Sequence, residues 1–206
     1  MNGDRFTRQR AGGAWVVGAP IGVNRPQPLM KTLVILVHPT LETSVINKAW
    51  AQALAGHVTI HNLYAAYPAG AAIDVAAEQA LVEAHDRIIF QYPLYWYGAP
   101  SLLAEWMYQV FTQGWAYGPG GDALTTKEIG AAVSCGAPEE EFAPGRNQRH
   151  TLETFLSMYD GIASFARCTY IGFHAIYGTY AQDIAERLPA NCAEYLRFAT
   201  APAAKH

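Results

Sequence analysis

Residues 32–38 read Thr-Leu-Val-Ile-Leu-Val-His, an unbroken and mostly β-branched apolar run. A strand with one wet face alternates apolar and polar side chains, and this run does not alternate. It predicts a strand buried on both faces of a parallel sheet. Pro39 stops it. Ser44 then opens a predicted helix through Ala55, with Val45, Ala49 and Leu54 among its apolar positions. The pattern repeats downstream. A strand is predicted over 58–63, and a helix capped by Asp74 runs to about His85. The next strand covers 87–92, ended by Pro93. Pro100 and Ser101 start a helix on which Leu102, Leu103, Trp106, Val110 and Phe111 fall near the helical period. Strands over 128–134 and 168–176 and helices over 151–165 and 181–199 complete the alternation.

A parallel crossover needs a connection long enough to hold a helix. Five strands alternating with helices therefore predict an α/β chain, a three-layer α/β/α sandwich on a five-stranded parallel sheet. The chain has 206 residues, enough for one domain with a substantial core. Residues 31–206 read as that single domain. Residues 1–30 read as an extension expected to be disordered. Arg5, Arg8 and Arg10 precede a mildly apolar stretch, but Gly and Pro interrupt it and no clear cleavage site follows, so a secretory signal is disfavoured. Met30 stands just before the first strand as an alternative start.

Composition removes several function classes. A net charge of −3 supplies no basic stripe, which argues against nucleic acid as partner. Cys135, Cys168 and Cys192 are odd in number and lack metal-like spacing, so neither a disulfide framework nor a zinc site is expected. The cytoplasm is the default compartment. No HExxH motif or cluster of carboxylates suggests a metal hydrolase. Neither GxGxxG nor GxxxxGK[ST] occurs, so a Rossmann-type dinucleotide site or an NTP site is not indicated.

In open parallel sheets ligands bind outside the carboxyl ends of the strands, where the strand order reverses. Three loops fall there. The first runs from His38 through Ser44, Val45, Ile46 and Asn47. Ser44 lies at a helix N-terminus, where free N–H groups and the helix dipole favour an anion. Taken alone, Ser44 reads equally as an ordinary N-cap, and His38 as a satisfied strand-end histidine. The second loop is Tyr92-Pro93-Leu94-Tyr95-Trp96-Tyr97-Gly98-Ala99-Pro100, with four large aromatics in six residues and prolines at both ends. It suits a wall for a flat ligand, a packed corner or a dimer contact. The third begins Ser134-Cys135-Gly136-Ala137-Pro138, where small residues admit close backbone approach; an ordinary turn looks the same.

The segments Val-His-Pro-Thr with Ser-x-x-Asn (37–47), QYPLYWYGAPSLLAEWMYQVF (91–111) and GWAYGPGGDALTTKE (114–128) resemble the NAD(P)H:quinone oxidoreductases of the flavodoxin-like superfamily. That family includes DT-diaphorase and the ancillary flavoprotein of the glutathione-gated potassium efflux system, and the likeness to the latter is greater. It covers the chain from about Lys31 onward. The resemblance implies a flavodoxin-like fold, with FMN as cofactor, FAD as the alternative, and NAD(P)H as electron donor. It implies that His38, Ser44, Val45, Ile46 and Asn47 hold the flavin phosphate and ribityl chain. Leu94, Tyr95, Trp96 and Tyr97 would line the isoalloxazine, and Ser134, Cys135, Gly136 and Ala137 would reach its dimethylbenzene or pyrimidine side. Trp115 and Tyr117 match a loop that reaches the neighbouring subunit's site, so a homodimer is implied. Phe142 stands on the substrate side where the family often has tyrosine. The family also has Thr-Thr-Gly-Gly at 134–137 and glutamine at 95. No catalytic acid or base is identified.

The activity so implied is two-electron reduction of quinones through a ping-pong hydride relay. Two alternatives stand beside it. One is a flavoprotein regulatory subunit of a potassium/proton antiporter, peripheral to the inner face of the membrane. The other is a flavodoxin-type electron carrier, although the chain lacks that group's Thr-x-Thr-Gly phosphate loop and strong acidity.

Overall fold

The computed structural model describes residues 10–11, 14–15 and 30–202. Arg10–Ala11 and Ala14–Trp15 pair as a two-residue antiparallel ladder. The rest of residues 1–29 lies outside the described residues, and with it the expectation of disorder for that stretch.

Five strands form the main sheet: β1 Thr32–Leu36, β2 Thr59–Asn62, β3 Arg87–Pro93, β4 Glu128–Ser134 and β5 Thr169–Ile176. Their order is β2-β1-β3-β4-β5, and every pairing is parallel. Every residue of β1, β3 and β4 is buried, which is why those segments carry no alternation. Helices are α1 Ile46–Leu54, α2 Leu63–Ala66, α3 Val75–Glu83, α4 Ser101–Val110, α5 Leu152–Ala166 and α6 Ile184–Thr200.

The two faces of the sheet have separate cores. On one, Val34, Leu36, Ile89, Ala132 and Ile176 meet Trp50 and Leu54 of α1 and Tyr195 and Ala199 of α6. On the other, Ile35, Ile88, Phe90, Ile129 and Val133 meet Val82, Trp106, Leu156 and Tyr159 from α3, α4 and α5. The base of the sheet is locked by Arg87. Its guanidinium pairs with Glu128 (Nε to Oε2, 2.7 Å) and donates to the carbonyls of Phe198, Ala199 and Pro202 at the end of α6. Thr32 Oγ1 donates to Ala199 O as well.

Element ends depart from the periodicity where local capping intervenes. The helix expected from Ser44 starts at Ile46, because Leu41–Thr43 forms a 3-10 turn and Ser44 stays extended (ψ 122°). The second strand stops at Asn62, whose side chain accepts from the N–H groups of Tyr64 and Ala65 and starts the short α2. The last helix begins three residues late, because Gly178 and Ala181 close a turn (N to O, 2.9 Å). No helix among the described residues is long and apolar enough to cross a membrane.

Candidate functional site

The chain leaves β1 toward β2 at one edge and returns to β3 on the other side of β1. The strand order therefore reverses between β1 and β3, and their carboxyl ends open the crevice that ligands use in such sheets. All three loops expected from the sequence converge there.

The first loop gathers groups able to hold an anion. His38 is buried, and its Nδ1 accepts the N–H of Thr40 (3.1 Å), which leaves the ring proton on Nε2. Burial lowers its pKa, so the ring is a neutral donor near pH 7. Ser44 Oγ accepts the N–H of Asn47 (3.1 Å) and caps α1. Its own hydroxyl hydrogen is still free to donate outward. The cap leaves the N–H groups of Val45 and Ile46 at the head of the helix, where the dipole favours negative charge. The N-cap and anion readings of Ser44 are thus compatible.

Asn47 is used differently. It is 1% exposed, and its side-chain amide donates to Ser134 Oγ (3.0 Å). Gln91 Nε2 donates to Asn47 O (3.0 Å), while the buried Gln91 Oε1 has no partner. The side chain of Asn47 therefore braces the first loop against β3 and the third loop from beneath. Its amide nitrogen is thereby committed to Ser134.

The second loop is a tight turn. Tyr95 and Gly98 exchange both backbone hydrogen bonds at 2.9 Å, with Trp96 at φ 48° and Tyr97 at φ 66°. Two successive left-handed residues make a type I′ turn, which favours Asn-Gly. Bulky aromatics there cost roughly 1–3 kcal/mol each. The turn leaves Trp96 96% exposed. Its neighbour Tyr97 stacks on Phe155 of α5 at 4.6 Å. The N–H groups of Trp96 and Tyr97 are spent on no described residue.

The third loop is tied in where it leaves β4. Leu94 N donates to Ser134 O (2.9 Å), and Cys135 N to Ile176 O (2.8 Å). Cys135 is buried and its thiol is pushed up to about 12 by desolvation, so it is an inert packing group. Phe142 is 8% exposed and packs edge-on against Phe155 and Tyr177. It lines a side cavity of about 390 Å³ with Thr151, Leu152, Phe173 and Tyr177. Phe142 and Phe155 thus back the wall that Tyr97 presents.

Trp115 and Tyr117 lie elsewhere. Trp115 Nε1 donates to Glu83 (2.6 Å) at the end of α3, just before β3 begins, and its ring stacks on Phe111. Tyr117 packs on Phe165 near the end of α5. Both ends are at the amino edge of the sheet. Within one chain these residues stand opposite the three loops. The turn holding them needs Gly121, where a Cβ would lie 2.2 Å from Tyr117 O.

Two features escaped the sequence reading. Phe155 supports Tyr97 from a helix 58 positions downstream, and no local pattern signals that contact. The turn after β5 also joins the site: Gly178 N donates to Ala137 O (2.9 Å) and Thr179 N to Cys135 O (3.1 Å). Its Tyr-Gly-Thr-Tyr sequence, at the carboxyl end of a strand, was the available signal.

The family model described as flavodoxin-like fold matches residues 30–199. The chain belongs to the flavodoxin-like fold family. Among flavodoxin-like relatives, the NAD(P)H oxidoreductase YrkL of Bacillus subtilis is 43% identical over 152 residues, 73% of this chain and 87% of that protein. The ancillary protein KefG of the glutathione-regulated potassium-efflux system from Yersinia enterocolitica is 35% identical over 84% of this chain and 95% of that protein. Among solved structures, general stress protein 14 of Treponema denticola in complex with FMN superposes with a TM-score of 0.77 at 36% identity, over 82% of this chain and 97% of that one. The NADPH-quinone reductase from P. pentosaceus gives 0.76 at 32% identity, over 84% and 100%. The two solved structures share the fold of this chain.

Proposed function

We propose that this chain is an FMN-dependent NAD(P)H:quinone oxidoreductase. The observation that carries the reading is the strained turn at Trp96 and Tyr97, set beside a helix head with open N–H groups at the strand-order reversal. Strain of that kind persists where surrounding structure holds it for a purpose. The site fits FMN in three respects. His38 Nε2, Ser44 and the N–H groups of Val45 and Ile46 suit a phosphate. Tyr97, held by Phe155, suits the flat ring. The unspent N–H groups of Trp96 and Tyr97 suit its polar edge. Leu94 and Tyr95 on one side, and Ser134, Cys135, Gly136 and Ala137 on the other, complete the lining. The relatives whose names carry NAD(P)H, FMN and quinone support the same reading.

The bound flavin would supply two-electron acceptance and donation. The chain would supply geometry: an aromatic wall, exclusion of water behind Phe142 and Phe155, and N–H donors that favour negative charge on the reduced ring. Nicotinamide and quinone would take one slot in turn, because each must stack within roughly 3–3.5 Å of the same ring. The kinetics should be ping-pong. Parallel double-reciprocal lines with a purified yellow protein support this; intersecting lines, or a colourless protein that never oxidises NAD(P)H, would sink it.

The placement of Trp115 and Tyr117 away from their own crevice favours a homodimer in which they close the partner's slot. A forced monomer with full activity removes that wall. Likeness to the potassium-efflux ancillary protein favours a second reading, a regulatory flavoprotein docked on a membrane antiporter. Co-purification with such a transporter, alongside weak turnover of free quinones, would decide for it.

A further inference from the structure

We propose that Tyr180 is a fourth wall of the acceptor slot, an aromatic surface against which the quinone ring packs; this rests on the quinone reductase reading above. The turn that carries it is fixed to the third loop by the bonds from Gly178 N to Ala137 O and from Thr179 N to Cys135 O. Ala181 N closes the turn onto Gly178 O, and Arg187 holds the preceding carbonyl, Tyr177 O (3.2 Å). Tyr180 is therefore placed by backbone rather than by packing of its ring. The ring lies over Gly136: a Cβ there would meet its Cε2 at 3.1 Å.

The ring thus covers the small-residue start of the third loop, at the carboxyl end of the sheet. Yet it is 91% exposed. A large aromatic ring presented to solvent on a backbone-locked turn contributes little to the fold. It is suited to burial by a flat ligand, which gains contact area at low ordering cost because the turn is already fixed.

The test uses the FMN-loaded full-length protein in its oxidised form, without NAD(P)H. Binding of 2,3-dimethyl-1,4-naphthoquinone, which does not alkylate thiols, is read from the perturbed flavin absorption. Tyr180→Ala should weaken that binding about fivefold and raise KM for the quinone equally. The melting temperature and the FMN dissociation constant should stay unchanged. Tyr180→Phe should bind as the native protein does. Unaltered naphthoquinone affinity in Tyr180→Ala overturns the proposal. So does a loss in Tyr180→Phe equal to that in Tyr180→Ala, which would assign the effect to the hydroxyl, and so does release of FMN, which would make Tyr180 a cofactor residue. A native protein that binds no FMN or is not reduced by NAD(P)H fails the underlying reading instead, and the two failures are told apart by that control.

Discussion

The side-chain amide of Asn47 donates to the Ser134 hydroxyl across 3.0 Å, joining the first and third loops beneath the crevice. Both groups are buried, so neither can turn to water if its partner is lost. Removing either one leaves the other unsatisfied at a cost of about 1–3 kcal/mol. Asn47→Ala and Ser134→Ala should each lower stability by that amount in urea unfolding. The double variant should cost less than the sum of the two, and strict additivity would show the bond is idle.

The cradle can be separated from the ring wall by choice of ligand. His38→Ala combined with Ser44→Ala removes two phosphate donors, and FMN affinity should fall at least about tenfold. Riboflavin, which lacks the phosphate, should bind both proteins alike in a fluorescence titration. Equal losses for the two flavins would assign these residues to the fold alone.

The turn at Trp96 and Tyr97 trades stability for presentation. Replacing the pair by Asn-Gly supplies the residues a type I′ turn prefers and should add about 1–2 kcal/mol. Quinone turnover should drop at the same time, since the wall is gone. A protein that melts no higher would show that the two left-handed residues carry no strain.

Acid stability should depend on Glu78. Burial raises its pKa, but hydrogen bonds from His61 Nε2 (2.7 Å), Tyr67 OH (2.6 Å) and Trp106 Nε1 (2.8 Å) outweigh that and hold it below the ordinary value of 4.5. A carboxyl lowered in the folded state binds fewer protons than the unfolded chain does. Its contribution is complete above the unfolded pKa and is lost as pH falls through the folded one. Urea midpoints of the native protein should decline as pH drops from about 5 toward 3. Glu78→Gln should start lower, by roughly 3–5 kcal/mol, and decline less over that range. A parallel decline in both proteins would refute the assignment.

How far the sequence reaches differs between sheet and site. The strands were legible because burial on both faces writes a continuous apolar run, as at Leu33–Leu36 and Ile88–Phe90. The three loops were legible because the reversal of strand order lies where the strands end. Helix starts were less so: Ser44 and Asn62 compete for the chain through side-chain caps that periodicity does not register. The turning of Asn47 toward Ser134 depends on two segments 87 positions apart. The backing of Tyr97 by Phe155, and the zipping of the Tyr180 turn to Cys135 and Ala137, are likewise long-range contacts that no local spacing encodes.

The clamp at Arg87 bears on how the chain is made. Three of its acceptors, the carbonyls of Phe198, Ala199 and Pro202, lie 111, 112 and 115 positions downstream and leave the ribosome well after it. Until they emerge, the cation at the foot of the central strand has Glu128 but none of the carbonyls that close its shell. Thr32, at the start of the first strand, waits for the same helix end. A nascent chain halted before that helix end would hold an open sheet with a bare face, the state on which chaperones and proteases act. The amino edge of the sheet is thereby closed only once the end of α6 has been made.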